Sequence, residues 1–272
     1  MATAIIIAGM HRSGTSATTG ALRLCGISLG KGLLEGAADN PKGYFENERA
    51  VQIHEKLLAE LGRSWDDVRE LPAGWMNSVA AAEAKAEVRR LIETEFAGEE
   101  LWAVKDPRIC RFIPLWREVL EPLGIRVAAM HVVRRPGEVA PSISARNGWG
   151  RESGELLWLR HVFVGEAHTR DVPRSVLSYE TLLKEPATSI VRALGQMGVT
   201  IDVEAQAASR LSAFVEAKDR HHVESQTGGQ TDGGLTELVN AAYAGLVAIE
   251  QGCGTWQSVE ALARRSYEWL KG

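Results

Sequence analysis

Cysteine is scarce in this sequence: Cys25, Cys110 and Cys253 are the only three among 272 residues. Their odd number and wide spacing, with no zinc-type pairs, argue against a disulfide framework and a structural metal. Buried free thiols in a reducing cytosol are the expectation. Long apolar runs are missing too. The run Ile5-Ile6-Ile7 is too short to span a membrane and has no basic region before it, so it reads as a first strand rather than a signal peptide. Positive charge is in deficit, with a formal net charge of −4. That balance argues against a nucleic-acid or membrane-surface partner, as the short apolar run argues against membrane insertion, and any basic site must be local. No internal repeat or domain linker interrupts the chain, and the one low-complexity stretch is 225–234. What remains, 45% hydrophobic and 24% charged over 272 residues, suffices for one large α/β domain, expected to span 1–272 in the cytoplasm.

Apolar runs at 5–7, 101–104, 127–133 and 175–178 read as strands. Helical spacing predicts helices from Ala17 to Cys25, Glu48 to Leu61, Ser78 to Phe96, Arg111 to Leu120, Glu138 to Arg146, Gly154 to Arg170, from Tyr179 through Met197, and at 235–251 and 258–270. Strands alternating with helices predict an α/β three-layer sandwich, a central parallel sheet with helices on both faces. Between the helices, 29–47 reads as a glycine-rich loop, and 64–77, with Trp65 and Trp75, as an excursion over a pocket or ordinary packing.

The first strand runs into Gly9-Met10-His11-Arg12-Ser13-Gly14-Thr15-Ser16. Two glycines framing four residues before a helix have the spacing of a nucleotide-binding P-loop, whose backbone N–H groups and helix N-terminus cradle anions. A nucleoside-triphosphatase places Lys directly after the second glycine. Here that position is Thr15, and the nearest cation, Arg12, stands two residues before Gly14. Ligands of a parallel sheet bind at the carboxyl ends of its strands. The other strand ends here carry Lys105, Arg134 and Tyr179. Ser142 follows Arg134 by eight residues, a spacing that lets guanidinium and hydroxyl grip one anion from two sides. Two anion sites on one sheet edge imply a doubly phosphorylated ligand.

These residues resemble the sulfotransferases that use 3′-phosphoadenosine 5′-phosphosulfate (PAPS). His11-Arg12-Ser13-Gly14-Thr15-Ser16 is similar to their 5′-phosphosulfate loop, and Val132-Val133-Arg134-Arg135-Pro136 with Ser142 to their 3′-phosphate motif. Lys105-Asp106-Pro107 is similar to a lysine strand end in the tyrosylprotein branch, and Ser178-Tyr179-Glu180-Thr181-Leu182 to a Tyr-Glu-x-Leu segment common in the family. Residues 40–47, 105–108 and 157–161 look like bacterial sulfotransferases of carbohydrate assembly.

The resemblance implies sulfuryl transfer from PAPS to a hydroxyl, less readily an amine, of a small-molecule or glycan acceptor. In-line attack on sulfur expels 3′-phosphoadenosine 5′-phosphate (PAP), and no divalent metal is required. Arg12, Thr15, Ser16 and Lys105 are then placed to stabilise charge on the departing oxygen. Arg134 and Ser142 hold the 3′-phosphate, with Tyr179 and Arg220 as further nucleotide contacts. The family's Arg-Lys-Gly form of the basic loop is not present around Arg220. Glu46 is the candidate general base, with Asp106 and His54 as rivals; packing for His54 and pairing with Arg108 for Asp106 are the simpler expectations. Trp65, Trp75 and Trp149 could stack on sugar faces. Two other readings stay open: a P-loop kinase or triphosphatase using Asp106 for magnesium, and a non-catalytic nucleotide-binding protein.

Overall fold

The computed structural model describes residues 1–37, 40–203, 205–215 and 233–266. Its centre is a four-stranded sheet of β1 (Thr3–Ala8), β2 (Leu101–Lys105), β3 (Arg126–Val133) and β4 (Arg174–Ser178) in the order β2-β1-β3-β4. All three pairings are parallel, and Ile6 of β1 lies between Val104 and Ala129. Around the sheet lie α1 (Thr15–Leu24), α2 (Glu48–Glu60), α3 (Val79–Glu95), α4 (Ile109–Leu120), α5 (Pro136–Asn147), α6 (Arg151–His168), α7 (Tyr179–Lys184), α8 (Pro186–Gln196), α9 (Ala205–Phe214), α10 (Gly233–Glu250) and α11 (Trp256–Arg265).

The strand period of two sorts side chains onto opposite faces. Ala4, Ile6 and Ala8 pack with residues of α2, α3 and α4, whereas Ile5 and Ile7 pack with residues of α1, α8 and α9. All three isoleucines are fully buried, each contributing about 1.5–3 kcal/mol. A third apolar cluster joins Val133 and Val176 to α5, α6, α10 and α11. The three-layer α/β sandwich expected from the alternation is therefore the architecture observed.

Several expectations need correction. The helix read from Tyr179 through Met197 is two helices, α7 and α8. Pro186 lacks the N–H that would continue α7, and it opens α8 as a first-turn residue. Helix α9 has no counterpart in the sequence reading. Of the three free cysteines only Cys110 is buried; Cys25 is intermediate and Cys253 exposed. The low-complexity stretch at 225–232 and the end of the last predicted helix lie outside the described residues. No helix among the described residues is long and apolar enough to cross a membrane.

Candidate active site

The strand order determines where a ligand fits. From β1 the chain crosses to one side to form β2 and then returns to the other side as β3. The loops after β1 and β3 therefore meet at a topological switch point, the place where open α/β sheets bind ligands. Approach is close: a Cβ on Gly9 would stand 2.6 Å from the Val132 carbonyl oxygen. The loop turns through left-handed conformations at Arg12 (φ 67°) and Gly14 (φ 87°), after which α1 begins at Thr15 with its first-turn N–H groups directed outward.

A cavity of about 220 Å³ opens at this edge, lined from the loop by His11, Arg12, Gly14, Thr15 and Ser16. Lys105, Arg134 and Tyr179 reach it from the other strand ends, and the 40–46 segment with Phe214 closes its remaining side. Among the described residues, Arg12, Lys42, Lys105 and Arg134 face a single lining carboxylate, Glu46. A chain of net charge −4 thus concentrates cations at one place.

Lys105 is the hub of the cavity. Its Nζ donates to Glu46 Oε1 at 2.6 Å, to the Tyr44 carbonyl at 3.1 Å and to Ser16 Oγ at 3.1 Å. Glu46 is held in register because the next residue, Asn47, caps α2 by accepting from the Ala50 N–H at 3.2 Å. Both partners of the Lys105–Glu46 pair are largely buried.

The two anion motifs touch one another. Arg12 Nε donates to Ser142 Oγ at 2.9 Å, and Arg134 Nη1 donates to the Arg12 carbonyl at 3.4 Å. Arg134 Nε is held by Glu138 in the first turn of α5 at 2.8 Å, and its guanidinium lies 4.9 Å above the Tyr179 ring. Tyr179 packs beneath it, so close to Gly14 that a Cβ there would meet its ring at 2.5 Å.

Of the residues singled out from sequence, His11, Arg12, Gly14, Thr15, Ser16, Glu46, Lys105, Arg134 and Tyr179 come together around the cavity. Ser13 and Ser142 do not line it: Ser13 is fully buried, and Ser142 reaches the cavity only through Arg12. Arg220 lies outside the described residues. Lys42 and Phe214 were missed. Lys42 donates to the Phe214 carbonyl at 2.6 Å, a contact across 172 positions that local spacing does not encode, although Pro41-Lys42-Gly43 carries a visible turn signal.

The rival bases sit elsewhere. His54 and Asp106 are both fully buried, with His54 Nδ1 donating to Asp106 Oδ2 at 2.6 Å. Trp116 Nε1 can only donate, so His54 Nε2 accepts its bond at 2.8 Å and Nδ1 is the nitrogen that donates to Asp106. Asp106 Oδ1 accepts from the Arg108 N–H at 3.0 Å and from Arg108 Nη1 at 2.7 Å. Burial alone would raise the Asp106 pKa, but the bonds from His54 and Arg108 outweigh it and hold the carboxyl well below the usual range. Neither His54 nor Asp106 lines the cavity, although Arg108 of this network stands 3.9 Å from Glu46 Oε2. The tryptophans also divide: Trp75 packs on Phe112, while Trp65 stacks on Trp149 at 5.4 Å and sits edge-on to His11 at 4.7 Å.

No family model and no curated protein sequence matches the chain. Solved structures do. The sulfotransferase domain from the curacin biosynthetic pathway superposes with a TM-score of 0.50 at 13% identity, covering 90% of this chain and 98% of that one. The sulfotransferase domain of the Synechococcus PCC 7002 olefin synthase gives 0.47 at 17% identity, over 90% and 94%. A sulfotransferase from Mycobacterium tuberculosis H37Rv gives 0.47 at 14%, over 90% and 77%. The chain shares the fold of the curacin-pathway domain.

Proposed function

We propose that residues 1–272 act as one sulfotransferase domain, transferring the sulfuryl group of PAPS to a hydroxyl, less readily an amine, of a small-molecule or glycan acceptor. The observation that carries this reading is the position of Lys105, in contact with both the helix N-terminus of the glycine loop and the cavity carboxylate Glu46. Glu46 takes the acceptor proton as the acceptor oxygen bonds to sulfur. The bond from sulfur to the bridging oxygen breaks, and PAP leaves with the electron pair. Lys105, Arg12 and the first-turn N–H groups of α1 stabilise that oxygen, in a preorganised and partly dry site. Arg134 takes the 3′-phosphate, with Ser142 acting on the site through its bond from Arg12 and Tyr179 supporting Arg134 from below. The cavity is smaller than the roughly 300–1,000 Å³ that encloses a drug-sized ligand, so the donor is only partly enclosed. This reading needs no divalent metal, and its acceptor is carbohydrate-like by the sequence resemblance.

The kinase alternative requires an aspartate that reaches magnesium at the phosphates. Asp106, its candidate, has both oxygens engaged within the fold. Calorimetric titration with PAP in EDTA should give saturable binding, and incubation with radiolabelled PAPS and desalted cell extract should label an acceptor. Tight binding of ATP–magnesium with none of PAP would overturn the proposal.

A further inference from the structure

A second cavity, of about 420 Å³, lies among α4, α6, α11 and the 69–75 segment, and shares no lining residue with the first. One part of its wall is apolar, built from Leu71, Trp75, Phe163 and Val164. The other part carries, among the described residues, five arginines, Arg69, Arg111, Arg160, Arg170 and Arg264, against one lining carboxylate, Glu70. Three of these are surface groups with nearby acids: Arg69 pairs with Asp67 at 2.7 Å, Arg170 with Glu166 at 2.8 Å and Arg264 with Glu260 at 2.6 Å.

Arg111 is different. It is 3% exposed, and its hydrogen bonds run to the carbonyl oxygens of Ser64, Asp67 and Arg69 at 3.3, 3.2 and 2.8 Å. Its hydrogen bonds therefore end on carbonyl dipoles, and the Asp67 carboxylate acts on its charge only through space. Arg160, also buried, bonds the Val68 carbonyl and stands 3.7 Å from Glu70, whose side chain is 58% exposed. Burial and the neighbouring Arg160 push Arg111 down to about 10. A buried cation is stabilised by an anion, and here two guanidiniums border an open volume beside an apolar wall.

We propose that this cavity binds a small organic anion with an apolar body. Its carboxylate or sulfonate meets Arg111 and Arg160, and its ring or chain lies on Leu71, Trp75 and Phe163. Charge complementarity selects the anion, and the apolar wall excludes a bare inorganic ion as the preferred occupant.

The test is a fluorescence titration with 8-anilinonaphthalene-1-sulfonate, alongside its uncharged relative N-phenyl-1-naphthylamine. The wild-type chain should bind the sulfonate at one site and prefer it over the neutral dye by about tenfold or more, the range of a charge-assisted hydrogen bond. Arg160→Met should remove that preference and leave the neutral dye unchanged. Ala167→Trp, at an exposed lining position, fills the cavity without replacing a buried side chain and should weaken both dyes. Arg134→Ala, in the other pocket, should change neither. An unchanged sulfonate affinity in both Arg160→Met and Ala167→Trp, or its loss in Arg134→Ala, overturns the proposal whatever the outcome for PAP.

Discussion

Lys105 Nζ lies 2.6 Å from Glu46 Oε1 and 3.1 Å from Ser16 Oγ, so one ammonium joins the end of β2 to the anion loop and to the segment before α2. Replacing either member of the pair should therefore have distinct effects. Glu46→Gln keeps the hydrogen-bond geometry and removes the base. Turnover should fall by about 10²–10⁴-fold, while PAP affinity measured by calorimetry stays unchanged. Lys105→Met removes the nearer cation of the largely buried Glu46 and leaves Arg108 Nη1 at 3.9 Å, so the loss should fall below the about 3–5 kcal/mol of a fully unpaired buried charge and should appear as a lowered thermal midpoint. Full turnover in Glu46→Gln would remove Glu46 from the mechanism.

Arg134 and Arg12 should separate affinity from rate. Arg134→Ala deletes a charged hydrogen bond to the proposed 3′-phosphate, worth about 1.5–3 kcal/mol, and should weaken PAP binding accordingly with a smaller change in kcat. Arg12→Ala should do the reverse. Because Arg12 Nε donates to Ser142 Oγ at 2.9 Å, a double-mutant cycle of Arg12→Ala with Ser142→Ala should show coupling of about 0.5–3 kcal/mol in the free energy of unfolding. Strictly additive effects would mean that the two motifs act separately.

Gly14 should tolerate no side chain. Its φ of 87° is left-handed, and a Cβ would stand 2.5 Å from the Tyr179 ring. Gly14→Ala incurs the left-handed penalty of about 1–2 kcal/mol and displaces Tyr179 from beneath Arg134. Denaturant unfolding should show lower stability, and PAP binding should weaken. Wild-type PAP affinity in Gly14→Ala would contradict the packing described.

Acid sensitivity should come from buried neutral histidines. Burial pushes His131 down to about 3 and His161 to about 4, from an unfolded value near 6.5. Above that unfolded value neither group contributes. As pH falls below it, the unfolded chain takes up protons that the folded chain refuses, so stability declines by about 1.4 kcal/mol per pH unit for each histidine. The decline for each ends as pH passes its folded value. Urea unfolding between pH 7 and 5 should show this slope, reduced by one proton in His131→Gln. An identical slope in that variant would place the sensitivity elsewhere.

The strands were legible because burial on both faces leaves short apolar runs, as in Ile5-Ile6-Ile7. Glycine spacing after β1 and a proline after Arg134-Arg135 mark where the next helices start. Lys105, Arg134 and Tyr179 could be grouped because each stands at the end of a strand. The break at Pro186 was equally written in the chain, but the apolar spacing on either side of it suggested continuity. Helix α9 was not legible. Only one residue of its ten, Leu211, is fully buried, so its periodic signal is weak, and Phe214 reaches the cavity from it by tertiary placement alone.

By itself the sequence determined the parallel α/β sandwich and the presence of a glycine loop of P-loop spacing whose cation stands at Arg12 rather than after Gly14. These are local properties, set by apolar periodicity and by backbone conformations that glycine permits. Tertiary structure decided which charges meet. Glu46 and Asp106 are both carboxylates in polar stretches, yet one lines the cavity beside Lys105 and the other is enclosed with His54 and Arg108. That difference depends on the sheet order and on the packing of α2 against α4, which bring together residues more than fifty positions apart; Coulomb and hydrogen-bond energies depend on distance in space, and spacing along the chain does not report it.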